Sequence, residues 1–261
     1  YLAEKGINTN ILLMSATPIP RTLALAQYGE IEQVILKEKP AFQKPIITKV
    51  SNIDKIKDIE ILLKKKISNV SQVYWICPLV EASETQKYKD VETRFKSLRN
   101  IFGSEVEMLH GKIKSDQKER IIQNFQKGNI KILVATTVVE VGIDNKNADY
   151  IVIENAEKFG LSQLHQLRGR VGRGNNQGYC FALYGKDLPD NTINRLKIFK
   201  ENLDGFKLSE KDLEIRGTGD ILGYRQSGDS LFKFVNVYHD QELIIDACLL
   251  YTSPSPRDRS L

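Results

Sequence analysis

The sequence predicts an α/β fold: a parallel sheet carrying helices on both faces, followed by a C-terminal helical hairpin and loop. Short β-branched runs alternate with amphipathic helical patterns along most of the chain. The runs are apolar at nearly every position, as strands covered on both faces must be. From about Pro189 the pattern changes to polar helices and then a Gly-rich loop, which sets the hairpin apart.

The elements follow in order. Strands are expected at Ile11 to Ser15, Ile46 to Val50, Gln72 to Cys77, Val106 to His110, Ile130 to Ala135, Tyr150 to Ile153 and Tyr179 to Tyr184. Ile56, Ile59, Leu63 and Ile67 recur at helical spacing, as do Val91, Phe95, Leu98 and Phe102, a series that Gly103 stops. Asp116 with Glu119 reads as a capping box for the helix through Ile121, Ile122 and Phe125, which Gly128 ends. Polar helices are expected from Thr192 to Asn202 and from Ser209 to Ile215. The opening Leu2 to Gly6 reads as a helix end, so a preceding segment is expected; 248–261 carries no periodicity, is expected to be a non-native tail, and is set aside.

Composition narrows the classes. Of 261 residues, 41% are hydrophobic and 27% charged, which argues against a disordered or fibrous chain. The net charge of +5 permits a polyanionic partner without requiring one. No apolar stretch approaches the roughly 20 residues of a membrane helix, so no membrane partner is expected. Cys77, Cys180 and Cys248 lack metal or disulfide spacing, and no metal site is expected. With no secretion signal at the start, the cytoplasm is the expected compartment.

Chemistry concentrates in Gln163-Leu-His-Gln-Leu-Arg-Gly-Arg-Val-Gly-Arg-Gly174. Guanidinium forks suit a transferring phosphoryl group, and the interleaved glycines let backbone come close. A solvated basic helix end would explain the charge but not the spacing. Gln166-x-x-Gly-Arg-x-Gly-Arg173 matches motif VI of superfamily 2 helicases. In matching order, Leu13 to Thr22 resembles motif III, Val73 to Glu81 motif IV and Ile132 to Asp144 motif V. Leu109-His-Gly111 is read as readily as a plain turn as a functional element.

The resemblance is closer than superfamily level. Ser15-Ala-Thr-Pro-Ile-Pro-Arg-Thr22, Glu157-Lys-Phe-Gly-Leu-Ser-Gln-Leu-His-Gln166 and Asp212 to Gly228 resemble the RecG-type branched-DNA helicases, and the match runs from Ile11 to Ala247. Tyr74 to Glu84 and Phe232 to Gln241 separate it from the related transcription-repair coupling factors, the alternative reading. A third reading is a nucleic-acid-binding fragment that hydrolyses nothing.

The resemblance implies a RecA-like sheet and an ATP-dependent DNA helicase that remodels stalled forks and Holliday junctions in repair and recombination, in the bacterial cytoplasm and as a monomer. Residues 1–36 would end a first RecA-like domain, 37–188 form a second, and 189–247 form the translocation hairpin and loop. It implies Arg170 and Arg173 as catalytic groups at ATP phosphates, with Gly142, Asp144 and Gln166 also on the nucleotide. Ser15, Thr17, Thr136, Arg216 and Gln226 would bind DNA or couple it to turnover. Thr218 and Asp220 stand where the family usually has Pro and Glu, which loosens the expected loop. No Gly-x-x-x-x-Gly-Lys-[Ser/Thr] and no Asp-Glu-x-His box occurs, so ATP and Mg²⁺ would be held mainly by the preceding domain, and the chain alone is expected to be inactive.

Overall fold

The structure, a computed structural model, describes residues 44–67, 71–78, 84–136 and 145–216, together with Met14, Val34 and Leu243. The expected strand at Ile11 to Ser15 and the expected loop after Arg216 lie outside the described residues. By packing, the chain divides into Ile35–Asp212 and a second unit of Tyr1–Val34 with Leu213–Leu261.

The larger unit is built on a six-stranded sheet: β1 (Ile47–Asn52), β2 (Gln72–Ile76), β3 (Val106–Leu109), β4 (Ile132–Ala135), β5 (Ala148–Ile153) and β6 (Tyr179–Tyr184). Its order is β1-β6-β5-β2-β4-β3, and every pairing is parallel. The helices are α1 (Ile56–Lys66), α2 (Glu84–Phe102), α3 (Ser115–Gln126), α4 (Leu161–Arg168), α5 (Asp190–Glu201) and α6 (Gly205–Arg216). Every residue of β2, β4 and β5 is buried, because helices cover both faces of the sheet.

Side chains alternate between two cores. Val73 and Trp75 of β2 pack with Ile59 and Leu63 of α1 and Val91 and Leu98 of α2. Tyr74 and Ile76 face the other way, onto Phe125 of α3, Leu164 and Leu167 of α4, Phe199 of α5 and Leu208 of α6. At roughly 25 cal/mol per Å² of apolar surface, these two layers supply the main force holding the unit together.

Two positive backbone angles do what the sequence anticipates. Gly103 at φ +73 closes α2, and Gly128 at φ +84 closes α3. The capping box does not form: α3 begins one residue earlier than Asp116, with Lys114 as N-cap and no side-chain cap bond. Strand limits also shift. Ile130 lies ahead of β4, while β5 starts at Ala148 because Asp149 is tolerated there, its Oδ2 accepting from Ser71 Oγ (2.7 Å) and Asn176 Nδ2 (3.0 Å).

Candidate functional site

α4 leaves the C-terminal end of β5 and returns along the sheet. At its start, Gly160 N–H donates to Gln163 Oε1 (3.2 Å), and Leu161 N–H donates to Asp212 Oδ1 of α6 (3.3 Å). Leu161, Leu164 and Arg168 fall on one helical stripe, so the fold carries an arginine inward with the leucines.

Arg168 is 2% exposed. Its Nη1 donates to Phe199 O and its Nη2 to Asn202 O, each at 2.8 Å, which caps the last turn of α5. The guanidinium lies 4.5 Å from the Phe199 ring centroid, and Nη2 meets His165 Nδ1 at 2.9 Å. Arginine has only donors, so that histidine nitrogen accepts. Burial pulls Arg168 below the ordinary guanidinium value, and burial pushes the neighbouring Cys180 thiol up to about 12. Arg168 is therefore a structural bracket between α4 and α5.

Past the helix, the glycines act through close backbone contact. Gly172, at φ +68, donates its N–H to Ala148 O (3.1 Å). A Cβ on Gly178 would stand 2.9 Å from Gly172 Cα, and one on Gly174 would stand 2.5 Å from Lys146 O. Bulkier residues would push the segment off the sheet. Arg173 Nε donates back to Gly169 O (3.0 Å), holding its head group on the same loop, and Arg170 and Arg173 both remain partly exposed.

The expected site residues thus separate. Gln166 lies on α4, with Arg170 and Arg173 on the loop fastened to the start of β5. Thr136 follows the C-terminal end of β4, at the opposite end of the parallel strands from the start of β5, a strand's length of roughly 15 Å away. It is fully buried, and its hydroxyl has no hydrogen-bond partner among the described residues. Arg216 is the last residue of α6. Ser15, Thr17, Gly142, Asp144 and Gln226 lie outside the described residues.

A second polar cluster was not anticipated. At the C-terminal ends of adjacent β2 and β5, a cleft of about 380 Å³ is bordered by Cys77, Thr93, Arg94, Glu154 and Asn155. The buried Glu154 carboxylate accepts from Trp75 Nε1 and from Arg94 Nη2 (3.2 Å) and is ion-paired with Arg94 Nε, while Arg94 Nη1 reaches Glu60 at 3.3 Å. Burial raises the Glu60 carboxyl and raises the Cys77 thiol well above its usual value. One acidic residue ending the apolar run of β5 was the available signal. Among the described residues, no three His, Cys, Asp or Glu side chains are grouped to hold a metal, and no helix is long and apolar enough to cross a membrane.

Residues 52–175 match the model of a family described as the helicase conserved C-terminal domain. The chain is 46% identical over 248 residues to the ATP-dependent DNA helicase RecG of Borreliella burgdorferi, covering 94% of this chain and 36% of that protein. To the protein of the same name from Staphylococcus aureus it is 42% identical over 245 residues, 93% of this chain and 36% of the other. A solved structure of RecG bound to a three-way DNA junction is 38% identical, with a TM-score of 0.71 over 88% of this chain and 30% of that one. The chain spans about a third of the length of the curated relatives it matches.

Proposed function

Residues 52–175 belong to the helicase conserved C-terminal domain family and the chain resembles RecG over nine-tenths of its length, and on that premise we propose that it is the C-terminal part of an ATP-dependent helicase that remodels stalled forks and Holliday junctions in DNA repair and recombination. The observation that carries the reading is the way the Gln166 to Gly174 segment sorts its arginines. Arg168 is consumed by the fold, while Arg170 and Arg173 sit partly exposed on a loop fixed by backbone contacts. A rigid loop presenting guanidinium groups is what electrostatic stabilisation of a developing charge requires.

ATP, when bound, supplies the phosphoryl group whose transfer to water drives movement. In this reading Arg173 stabilises the charge that develops on that group, Arg170 orients it, and Gln166, Gly142 and Asp144 contact the nucleotide. The residues present fit the phosphate end of a nucleotide. Among the described residues no carboxylate group is gathered to hold Mg²⁺, which with the phosphate-binding lysine is expected from another part of the enzyme. Ser15, Thr17, Thr136, Arg216 and Gln226 contact branched duplex DNA or relay nucleotide state to it. The enzyme acts in the bacterial cytoplasm as a monomer. The separation of Thr136 from Arg173 supports two ligands, since one small molecule does not span the sheet. The two relatives compared by sequence are both RecG, which favours this reading over a coupling factor.

The test is kinetic. In the whole enzyme, Arg173→Ala lowers kcat for ATP by on the order of 10²-fold or more with junction affinity nearly intact, and Arg173→Lys rescues little, because an ammonium lacks the planar fork. The 261-residue chain alone is expected to show no DNA-stimulated hydrolysis. An Arg173→Ala enzyme that hydrolyses ATP normally but loses DNA would make the loop a phosphate-backbone clamp instead.

A further inference from the structure

We propose that the groove along the β3 edge of the sheet is a docking site for an extended, acidic peptide segment of a partner protein, which pairs with β3 as an added strand. Among the described residues β3 ends the strand order and pairs with β4 alone, so its outer side is a sheet edge. Such an edge carries backbone donors and acceptors that another strand can satisfy. The groove of about 830 Å³ beside it is walled by α2 on one face of the sheet and α3 on the other. Phe95 and Arg99 come from α2, Met108 from β3 itself, Ile113 from the turn that follows, and Arg120 and Ile121 from α3.

A strand laid there points successive side chains to opposite faces. One set meets Phe95 on the α2 side; the other meets Ile113 and Ile121 on the α3 side. Each wall therefore offers an apolar seat and, beside it, a guanidinium.

Charge selects the occupant. Arg99 and Arg120 are both exposed, and neither forms an ion pair with a carboxylate among the described residues. Arg99 instead lies 5.4 Å from the Phe95 ring centroid and lines the groove with it. Glu107 is the one carboxylate in the lining. Two arginines flanking apolar seats complement a segment with a hydrophobic centre and acidic ends. Nucleic acid is the poorer fit, because two cations opposed by Glu107 make a short electrostatic footprint and a phosphodiester chain leaves the strand edge unpaired.

The experiment uses the 261-residue chain and a fluorescein-labelled peptide, Glu-Asp-Val-Ile-Val-Ile-Val-Asp-Glu, followed by fluorescence anisotropy at low salt. Saturable binding is expected, weakened at least tenfold by Arg99→Glu with Arg120→Glu. Lysine in place of the peptide's acids abolishes it. Hydrogen exchange of the 106–109 amides slows when the peptide is present, and alternate N-methylation of the peptide backbone abolishes that slowing. Circular dichroism confirms that the doubly substituted chain is folded. No saturable binding overturns the proposal, as does equal affinity of the N-methylated peptide. Displacement of the peptide by a short oligothymidylate that binds more tightly would overturn it in favour of a nucleic-acid groove.

Discussion

Replacing Arg168 by lysine should be as damaging as replacing it by methionine, against the usual ranking of conservative changes. The guanidinium satisfies two carbonyls at the end of α5, Phe199 O and Asn202 O, from within the core, and no carboxylate pairs with it among the described residues. Methionine fills similar volume but strands both acceptors, at about 1–3 kcal/mol each. Part of that is offset by no longer burying a cation. The net loss is about 2–4 kcal/mol, a large share of the 5–15 kcal/mol by which domains are typically stable. Lysine keeps the buried charge, reaches one carbonyl at most and gives up the planar contact with Phe199, so its loss is at least equal. Trp75 is the chain's single tryptophan and is fully buried, so urea unfolding followed by its fluorescence reads both variants, with the slope m unchanged. A lysine variant within about 1 kcal/mol of the parent would refute the bracket.

Other outcomes follow from the same contacts. Gly174→Ala puts a methyl 2.5 Å from Lys146 O, a backbone atom, and should cost more than about 2 kcal/mol by thermal unfolding, whereas Gly103→Ala meets open space and costs only the strain of its positive φ. Glu154→Gln removes one of the two carboxylates paired with Arg94, Glu60 being the other, and should destabilise by about 1–3 kcal/mol while shifting Trp75 emission; an unchanged spectrum and midpoint would show that the cluster is not coupled to Trp75. Burial holds Cys180 protonated up to about 12 and raises Cys77, so at pH 8 both should resist iodoacetamide until the protein unfolds, as mass spectrometry of quenched samples would record. Burial lowers His110, so its neutral form is the one the fold prefers; its contribution is present above the ordinary histidine value and lost as pH falls through the depressed one. Stability measured from pH 7 down to pH 5 should then decline less in His110→Gln than in the parent.

The sheet was legible because its strands are buried on both faces and stand out as apolar runs; β6 was read to the residue, and the other described strands within two residues at either end. What composition hides is pairing at a distance. The expected strand began only at Tyr150, yet β5 also takes in Asp149, which Ser71 and Asn176 reach across to hold. Asp116 and Glu119 had the right spacing for a cap, but α3 starts at Ser115 with Lys114 as its N-cap, upstream of both. Within the arginine-rich segment, the resemblance set Arg170 and Arg173 apart for the nucleotide, but nothing in the sequence marked Arg168 as a buried bracket. The difference is made by Phe199 and Asn202, some thirty residues on, whose carbonyls are placed by the packing of α5.

The order of the strands also sets a timetable for a chain leaving the ribosome. Among the described strands, β2, β3 and β4 can pair as soon as Ala135 has emerged, whereas β1, made before them, pairs with β6 alone, Ile47 lying opposite Tyr179. At roughly 5–20 residues per second, β1 waits on the order of ten seconds with its partner not yet synthesised. Its exposed Lys49 and the lysine-rich end of α1 give that waiting segment charge, and charge on a lone strand discourages pairing with the wrong neighbour. Nascent chains arrested before Tyr179 should therefore leave β1 open to protease while β2 and β4 are already protected.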